Sequence, residues 1–206
     1  MSPNFNSENA GLRTYQQRGW SVRRFVPEEP FPPYSYVTRR FPHPTRDPAG
    51  HSFGAVPVHC PAPDPIRWRD CRAYLYGVDL FNYGYYWEAH VVWEGIWHAC
   101  GRTGPTGSFI QGLIKLAAAG VKAREGRPEG VQTHAQRAAE LFRKVAGGLP
   151  PEQIYYFGLS LPRLIRLATN VARGEVASSG LTGAPVEVVF PFVLQPDESQ
   201  RCESEA

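Results

Sequence analysis

The segment from Leu80 to Trp97, LFNYGYYWEAHVVWEGIW, places the strongest constraint on how this chain folds. At about 100° per residue on a helical wheel, its three tryptophan rings and that of Tyr86 fall on one side. Ala89, Val92 and Ile96 fall on another side. A helix that is apolar on both sides cannot lie on a water-exposed surface. The segment therefore predicts a central helix, packed between other helices of the same domain.

Stretches of helical periodicity, separated by glycine and proline, continue from Ile66 onward. They predict five helices over about residues 66–82, 85–100, 106–124, 128–146 and 160–173. Thr106 and Ser160 are the predicted N-caps of the third and fifth helices, whereas Gly77 weakens the first prediction. The short connections favour antiparallel neighbours, so the sequence predicts an all-α fold: a compact bundle of about five helices.

Residues 1–65 are rich in proline, which excludes a regular helix, and also in aromatic residues, which a free linker lacks. We therefore expect an extended Pro-rich N-terminal arm over residues 1–65, lying on a helical domain at residues 66–175. Residues 176–206 are expected to form an extended C-terminal segment, with residues 186–194 as an edge strand or an extended tail because of Pro191. The first dozen or so residues and the tail from Gln195 to Ala206 are predicted to be disordered.

Composition excludes several classes of function. The net charge is +3 and the basic residues do not cluster, which argues against a nucleic-acid partner and against a polybasic membrane surface. No apolar run approaches the roughly 20 residues that span a bilayer. The four cysteines are scattered without a CxxC pair, and the N-terminus is polar, so a reduced cytoplasmic protein is expected. The sequence identifies no partner.

His90 and Glu94 lie one helical turn apart within the aromatic segment, where an ionisable pair is costly to bury unless it binds something. They are the candidate catalytic pair, with His90 as a general base oriented by Glu94. Gln111 and Lys115 form a similar i, i+4 pair on the next helix, and antiparallel packing would bring them to His90 and Glu94. The candidate ligand-binding residues are Glu88, Gln111, Lys115, Trp97 and Asn82.

Two other interpretations of these residues remain open. His90, Glu94 and His98 form an H-x3-E-x3-H series that could hold a divalent metal as cofactor, although His98 could instead cap the helix C-terminus. Alternatively, a buried His–Glu–Gln–Lys network fixes helix packing and has no ligand. The predicted function is therefore a small-ligand or divalent-metal site, with hydrolysis as one candidate reaction. The alternative is a non-enzymatic protein-interaction module with a broad apolar surface.

The arm contains a second group of candidate residues, His43, Asp47 and His51, in FPHPTRDPAGHSFG. These residue types suit metal binding or acid–base chemistry, but their spacing matches no metal motif, and proline and glycine make the segment a turn-rich loop. An ordered loop with hydrogen-bonded histidines is one interpretation. The more specific hypothesis is that the loop closes over the His90 and Glu94 face as a lid.

Two blocks, LFNYGYYWEAHVVWEGIW and FIQGLIKLAAAGVKAREG, resemble the bacterial family known as domain of unknown function 309. The resemblance extends from about Leu80 to Phe142. The matching positions are Phe81, Asn82, Gly84, Glu88, Ala89, His90, Glu94, Trp97, Gln111, Gly112, Leu113 and Ile114. Val91 stands where the family usually has an acidic residue, so a mechanism that needs that carboxylate is in doubt. The resemblance implies a compact all-α fold and no particular activity.

Overall fold

The computed structural model describes residues 22–55, 61–176 and 183–197. These residues include five α-helices: α1 (Arg72–Asn82), α2 (Tyr86–Ala99), α3 (Gly104–Arg124), α4 (Pro128–Gly147) and α5 (Leu161–Ala172). A short antiparallel hairpin of β1 (Tyr155–Tyr156) and β2 (Leu159–Ser160) precedes α5. Successive helices pack against one another in chain order. The predicted all-α bundle of about five helices is confirmed. None of the described helices is both long and apolar enough to cross a membrane.

Two of the predicted helix starts differ from the structure. The first helix begins at Arg72 instead of Ile66, because Trp68–Asp70 forms a separate 3-10 turn and Cys71 has a non-helical ψ of 84°. The third begins at Gly104, and the Thr106 hydroxyl lies inside the helix, 2.8 Å from the hydroxyl of Tyr156. Ser160 does cap α5, accepting a hydrogen bond from the backbone N–H of Arg163.

Glycines inside the helices allow close approach of large rings from neighbouring helices. A Cβ on Gly77 of α1 would lie 2.2 Å from the Trp93 indole, so Gly77 serves packing although it lowers helix propensity. A Cβ on Gly120 of α3 would lie 2.6 Å from the ring of Tyr86 on α2. These contacts fix how far each helix is shifted along its neighbour.

Residues 22–55 form an extended arm without helix or strand, which lies on the helices. The backbone N–H groups of Phe25 and Val26 both donate to the buried Asp79 carboxylate, at 2.8 Å each. Further along, the Tyr36 N–H donates to Glu88 at 2.9 Å. Buried side chains of the helices therefore replace the pairing partners that an extended chain lacks. The first dozen residues, predicted to be disordered, lie outside the described part.

Residues 183–197, here called the C-terminal segment, are also extended and pack into the core. Phe190 is fully buried and stacks on Phe81 with ring centroids 5.5 Å apart. The Asn82 side chain pairs with both backbone groups of Leu194, at 2.8 Å each. Residues 186–194 form no strand, which leaves the extended-tail interpretation. The prediction of a disordered tail from Gln195 is wrong for its first residues, because Pro196 is buried and the Asp197 N–H donates to the Gly158 carbonyl at 2.8 Å. The residues after Asp197 lie outside the described part.

Candidate functional site

The packing of α2 against α3 decides which predicted site residues meet. Because Tyr86 packs on Gly120 and the helices are antiparallel, a step forward along α2 corresponds to a step back along α3. Lys115 is therefore roughly level with His90, and Gln111 is roughly level with Glu94. This register places Lys115 near His90, in agreement with its electrostatic effect on the imidazole.

Electrostatic effects connect His90 to a residue that sequence reasoning missed. Burial lowers the pKa of His90, Lys115 lowers it further, and Glu94 acts in the opposite direction. Burial also lowers the pKa of His134 on α4, and Lys115, Lys122 and His90 add to that effect. His134 therefore lies within electrostatic reach of His90 and Lys115. Finding it from sequence would have required the register between α3 and α4.

We call this cluster the interhelical groove and define it by residues of three helices: His90, Glu94 and Trp97 of α2, Gln111 and Lys115 of α3, and His134 of α4. Two buried nitrogen atoms in it, Nδ1 of His90 and Nε1 of Trp97, have no hydrogen-bond partner in the described part of the chain. Both lie on one face of α2, because seven residues make nearly two turns. No side-chain hydrogen bond joins His90 to Glu94, Gln111 or Lys115 within the described ranges, so the predicted bonded network is not formed there.

The structure does not assemble the predicted metal set of His90, Glu94 and His98. His98 is exposed, and its Nδ1 lies 3.2 Å from a guanidinium nitrogen of Arg102. Residues 90 and 98 are about 12 Å apart along a helix axis, too far for one ion to bridge. Within residues 22–55, 61–176 and 183–197, no group of three His, Cys, Asp or Glu side chains could hold a metal ion.

Two predicted ligand-binding residues have other partners. Glu88 lies about 200° from His90 around α2 and accepts hydrogen bonds from the Tyr36 N–H and from Nε2 of His51. Asn82 uses its amide oxygen and nitrogen to bind the backbone of Leu194. Glu88 therefore holds the arm and Asn82 holds the C-terminal segment, and neither is part of the interhelical groove.

The turn-rich part of the arm at residues 41–54, here called the arm loop, meets α2 at Trp87 and Glu88. The His43 ring packs edge-on to Trp87 at 5.6 Å, and His51 Nε2 lies 3.2 Å from Glu88 Oε1. Asp47 closes a turn by accepting a hydrogen bond from the Ala49 N–H, and it does not join the two histidines. In the described chain, none of these contacts reaches His90 or Glu94. The structure therefore does not place the loop as a lid over that pair.

An apolar surface, the feature that would favour a protein-interaction module, lies outside the interhelical groove. It borders a cavity of about 840 Å³ on the outer side of α1 and α2, lined in part by Tyr76, Val91 and Val92. Val91 is 38% exposed. The face of α2 that carries Val91 is thus separate from the face that carries His90 and Trp97.

Residues 74–133 match the family model described as Domain of unknown function (DUF309). This segment resembles DUF309. It extends from α1 to the start of α4 and includes the groove residues of α2 and α3, whereas His134, the arm and the C-terminal segment lie outside it. The comparison with curated proteins gave no match. The resemblance to DUF309 supports the helical fold and carries no activity, so the function is argued from the groove.

Proposed function

We propose that the interhelical groove binds a small anionic molecule. One observation carries the proposal: Nδ1 of His90 and Nε1 of Trp97 are buried on the same face of α2 without a hydrogen-bond partner in the described chain. A buried polar group left without a partner costs about 1–3 kcal/mol. Such a cost is sustained where a ligand supplies the missing partner.

The residue chemistry favours an anion. The indole N–H of Trp97 and the ammonium group of Lys115 can only donate hydrogen bonds, so the molecule must offer acceptor oxygens. The lowered pKa of His90 keeps its imidazole neutral, with one nitrogen able to donate and the other able to accept. Glu94 supplies a negative charge on the same side. A small carboxylate or phosphate that also carries a hydroxyl group fits this set.

The proposal stops at binding. The role of His90 and Glu94 as a catalytic pair remains a prediction, and hydrolysis is not included because no hydroxyl or thiol of the described residues is hydrogen-bonded to His90. A divalent metal is not included either, since the described residues assemble no set of three ligands for it.

Thermal unfolding of the whole chain against a panel of anions tests the proposal. The panel contains inorganic phosphate, acetate, lactate and citrate, with sodium chloride at matched ionic strength. A ligand at about 100 times its dissociation constant stabilises the native state by about 2.7 kcal/mol. For a chain of this size, that corresponds to a rise in Tm of roughly 5–10 °C.

Matched variants decide whether the effect comes from the groove. Lys115→Gln removes the charge and Trp97→Phe removes the N–H, so we expect each to abolish most of the rise. Lys144→Gln, at an exposed lysine near the end of α4, should retain it. Equal rises in the Lys115 and Lys144 variants, or no rise with any anion in the wild-type chain, would contradict the proposal.

A further inference from the structure

The arm loop places an imidazole between a hydroxyl group and a carboxylate. Ser52 Oγ lies 2.8 Å from Nδ1 of His51, and Nε2 of the same ring lies 3.2 Å from Oε1 of Glu88. The side chains of His51 and Glu88 are only 6% and 5% exposed, whereas Ser52 is half-buried and lies at the edge of the loop. A hydroxyl–imidazole–carboxylate chain is the arrangement that activates a serine as a nucleophile.

The direction of the hydrogen bonds follows from the carboxylate. An ionised Glu88 can only accept, so the hydrogen of a neutral His51 ring lies on Nε2 and donates to Oε1. The lone pair of the ring then lies on Nδ1, and the Ser52 hydroxyl must be the donor in the second contact. Nδ1 of His51 is therefore the base that can take the proton of Ser52.

Both ends of this hydrogen-bonded series, the Glu88 carboxylate and the Ser52 hydroxyl, are held in place. The Tyr36 N–H donates to Oε1 of Glu88 at 2.9 Å, the same oxygen that accepts from His51. The His51 N–H donates to the Tyr34 hydroxyl at 3.3 Å, and the Ser52 N–H donates to the carbonyl of Pro44 at 3.0 Å. The loop and α2 therefore position the three groups before any substrate binds, which is a requirement for efficient nucleophilic catalysis.

We propose that Ser52 is an activated nucleophile that accepts an acyl group from a small ester, with His51 as its base and Glu88 as a positioning residue. Ser52 Oγ attacks the carbonyl carbon and its proton passes to Nδ1 of His51. The bond between the carbonyl carbon and the leaving oxygen breaks, and that oxygen takes the proton. Water, deprotonated by His51, then attacks the acyl-serine, releases a carboxylic acid and restores the hydroxyl of Ser52.

The surroundings indicate the substrate class. Phe53, next to Ser52, is 53% exposed, and the Tyr36 and His43 rings of the arm form a cluster with Trp87 of α2, the neighbour of Glu88. These rings offer apolar contact to an ester with an apolar acyl or aromatic leaving group. This site lies on the opposite side of α2 from His90, so the proposal does not depend on anion binding in the interhelical groove.

A fluorophosphonate probe, which phosphonylates activated serines, tests the proposal on the whole chain. We expect intact-mass analysis to show one added phosphonyl group and peptide mapping to place it on Ser52. Ser52→Ala should abolish both the label and the hydrolysis of p-nitrophenyl acetate, and Ser160→Ala should retain them. An unlabelled wild-type chain, or a label on another residue, would overturn the proposal.

Glu88→Gln separates positioning from simple structural support. Because Oε1 accepts from both the Tyr36 N–H and the His51 ring, the amide oxygen of glutamine can keep both hydrogen bonds and leave the ring hydrogen on Nε2. The amide carries no negative charge, so it cannot stabilise the imidazolium that forms when Nδ1 takes the proton of Ser52. We expect the labelling rate to fall by at least about 100-fold, the contribution typical of a correctly placed base, while the 15N chemical shifts of the His51 ring still report the hydrogen on Nε2. An unchanged labelling rate in a variant with unchanged ring shifts would contradict the role of Glu88.

Discussion

Replacement of Asn82 by alanine tests how the C-terminal segment is attached to the helices. The Asn82 amide accepts from the Leu194 N–H and donates to the Leu194 carbonyl, at 2.8 Å in each case. Both residues are 2% exposed, so water does not reach the pair in the native state. The substitution therefore leaves a backbone donor and a backbone acceptor buried without their partner.

The magnitude follows from these two groups. Each buried polar group that loses its partner costs about 1–3 kcal/mol. Some relief comes from small shifts of the C-terminal segment and from water entering the vacated space. We therefore expect Asn82→Ala to lower the free energy of unfolding by about 3 kcal/mol. Asn82→Asp should cost at least as much at neutral pH, because its second carboxylate oxygen would face the Leu194 carbonyl.

Urea unfolding and hydrogen exchange measure this effect together. In Asn82→Ala, amides of residues 183–197 should exchange faster than in the wild type, with a larger change there than in α3. The control is Asn170→Ala, because Asn170 bonds Glu175 at the surface and its loss should cost less than about 0.5 kcal/mol. A loss in Asn82→Ala as small as in the control, with unchanged exchange in residues 183–197, would refute the reasoning.

Three further predictions concern stability. Burial lowers the pKa of His90 and of His134 below the unfolded value, so the unfolded chain binds protons first as the pH falls below about 6.5. The free energy of unfolding, measured in urea, should therefore fall between about pH 7 and 5, and less steeply in His90→Gln. Gly120→Ala should lower the free energy of unfolding by about 1–3 kcal/mol, because its Cβ would lie 2.6 Å from the Tyr86 ring. Gly95→Ala should raise the free energy of unfolding in the same assay, because a Cβ there meets nothing within 4 Å. Ser160→Ala should lower the free energy of unfolding by about 1 kcal/mol, because α5 loses its N-cap. An unchanged urea midpoint would contradict that role of Ser160.

The part of the fold that could be predicted from the sequence is the part governed by local periodicity. Apolar spacing located the five helices, and the i, i+4 pairs with antiparallel packing predicted that Lys115 lies near His90. Gly77 shows the limit of local propensity. Glycine weakens an isolated helix, but here its missing Cβ admits the Trp93 indole of the next helix, and tertiary packing outweighs the local cost.

The part that could not be predicted depends on partners far apart in sequence. Asn82 and Leu194 are separated by 112 residues, and Tyr36 and Glu88 by 52. Sequence reasoning named Asn82 and Glu88 as ligand-binding residues, whereas in the structure both bind backbone groups of the extended segments. It assigned them to a ligand because the backbone of an extended arm carries no sequence signal for the side chain that it binds.

Four buried polar side chains of the helices share one role in the structure: Asp79, Asn82, Glu88 and Arg124. Each binds backbone groups of the arm or of the C-terminal segment, and Arg124 binds both, through the carbonyls of Ser35 and Ala184. Extended chain without a strand partner needs such bonds, because its buried N–H and C=O groups would otherwise be unsatisfied. His90 and Trp97 differ from these four, since neither makes a side-chain hydrogen bond with any described residue. Glu88 and Arg124 each leave one further side-chain atom without a partner in the described chain, Oε2 and Nε, yet their other atoms hold the extended segments. His90 and Trp97 hold no such segment, and that difference is the physical reason to look for a ligand at the interhelical groove.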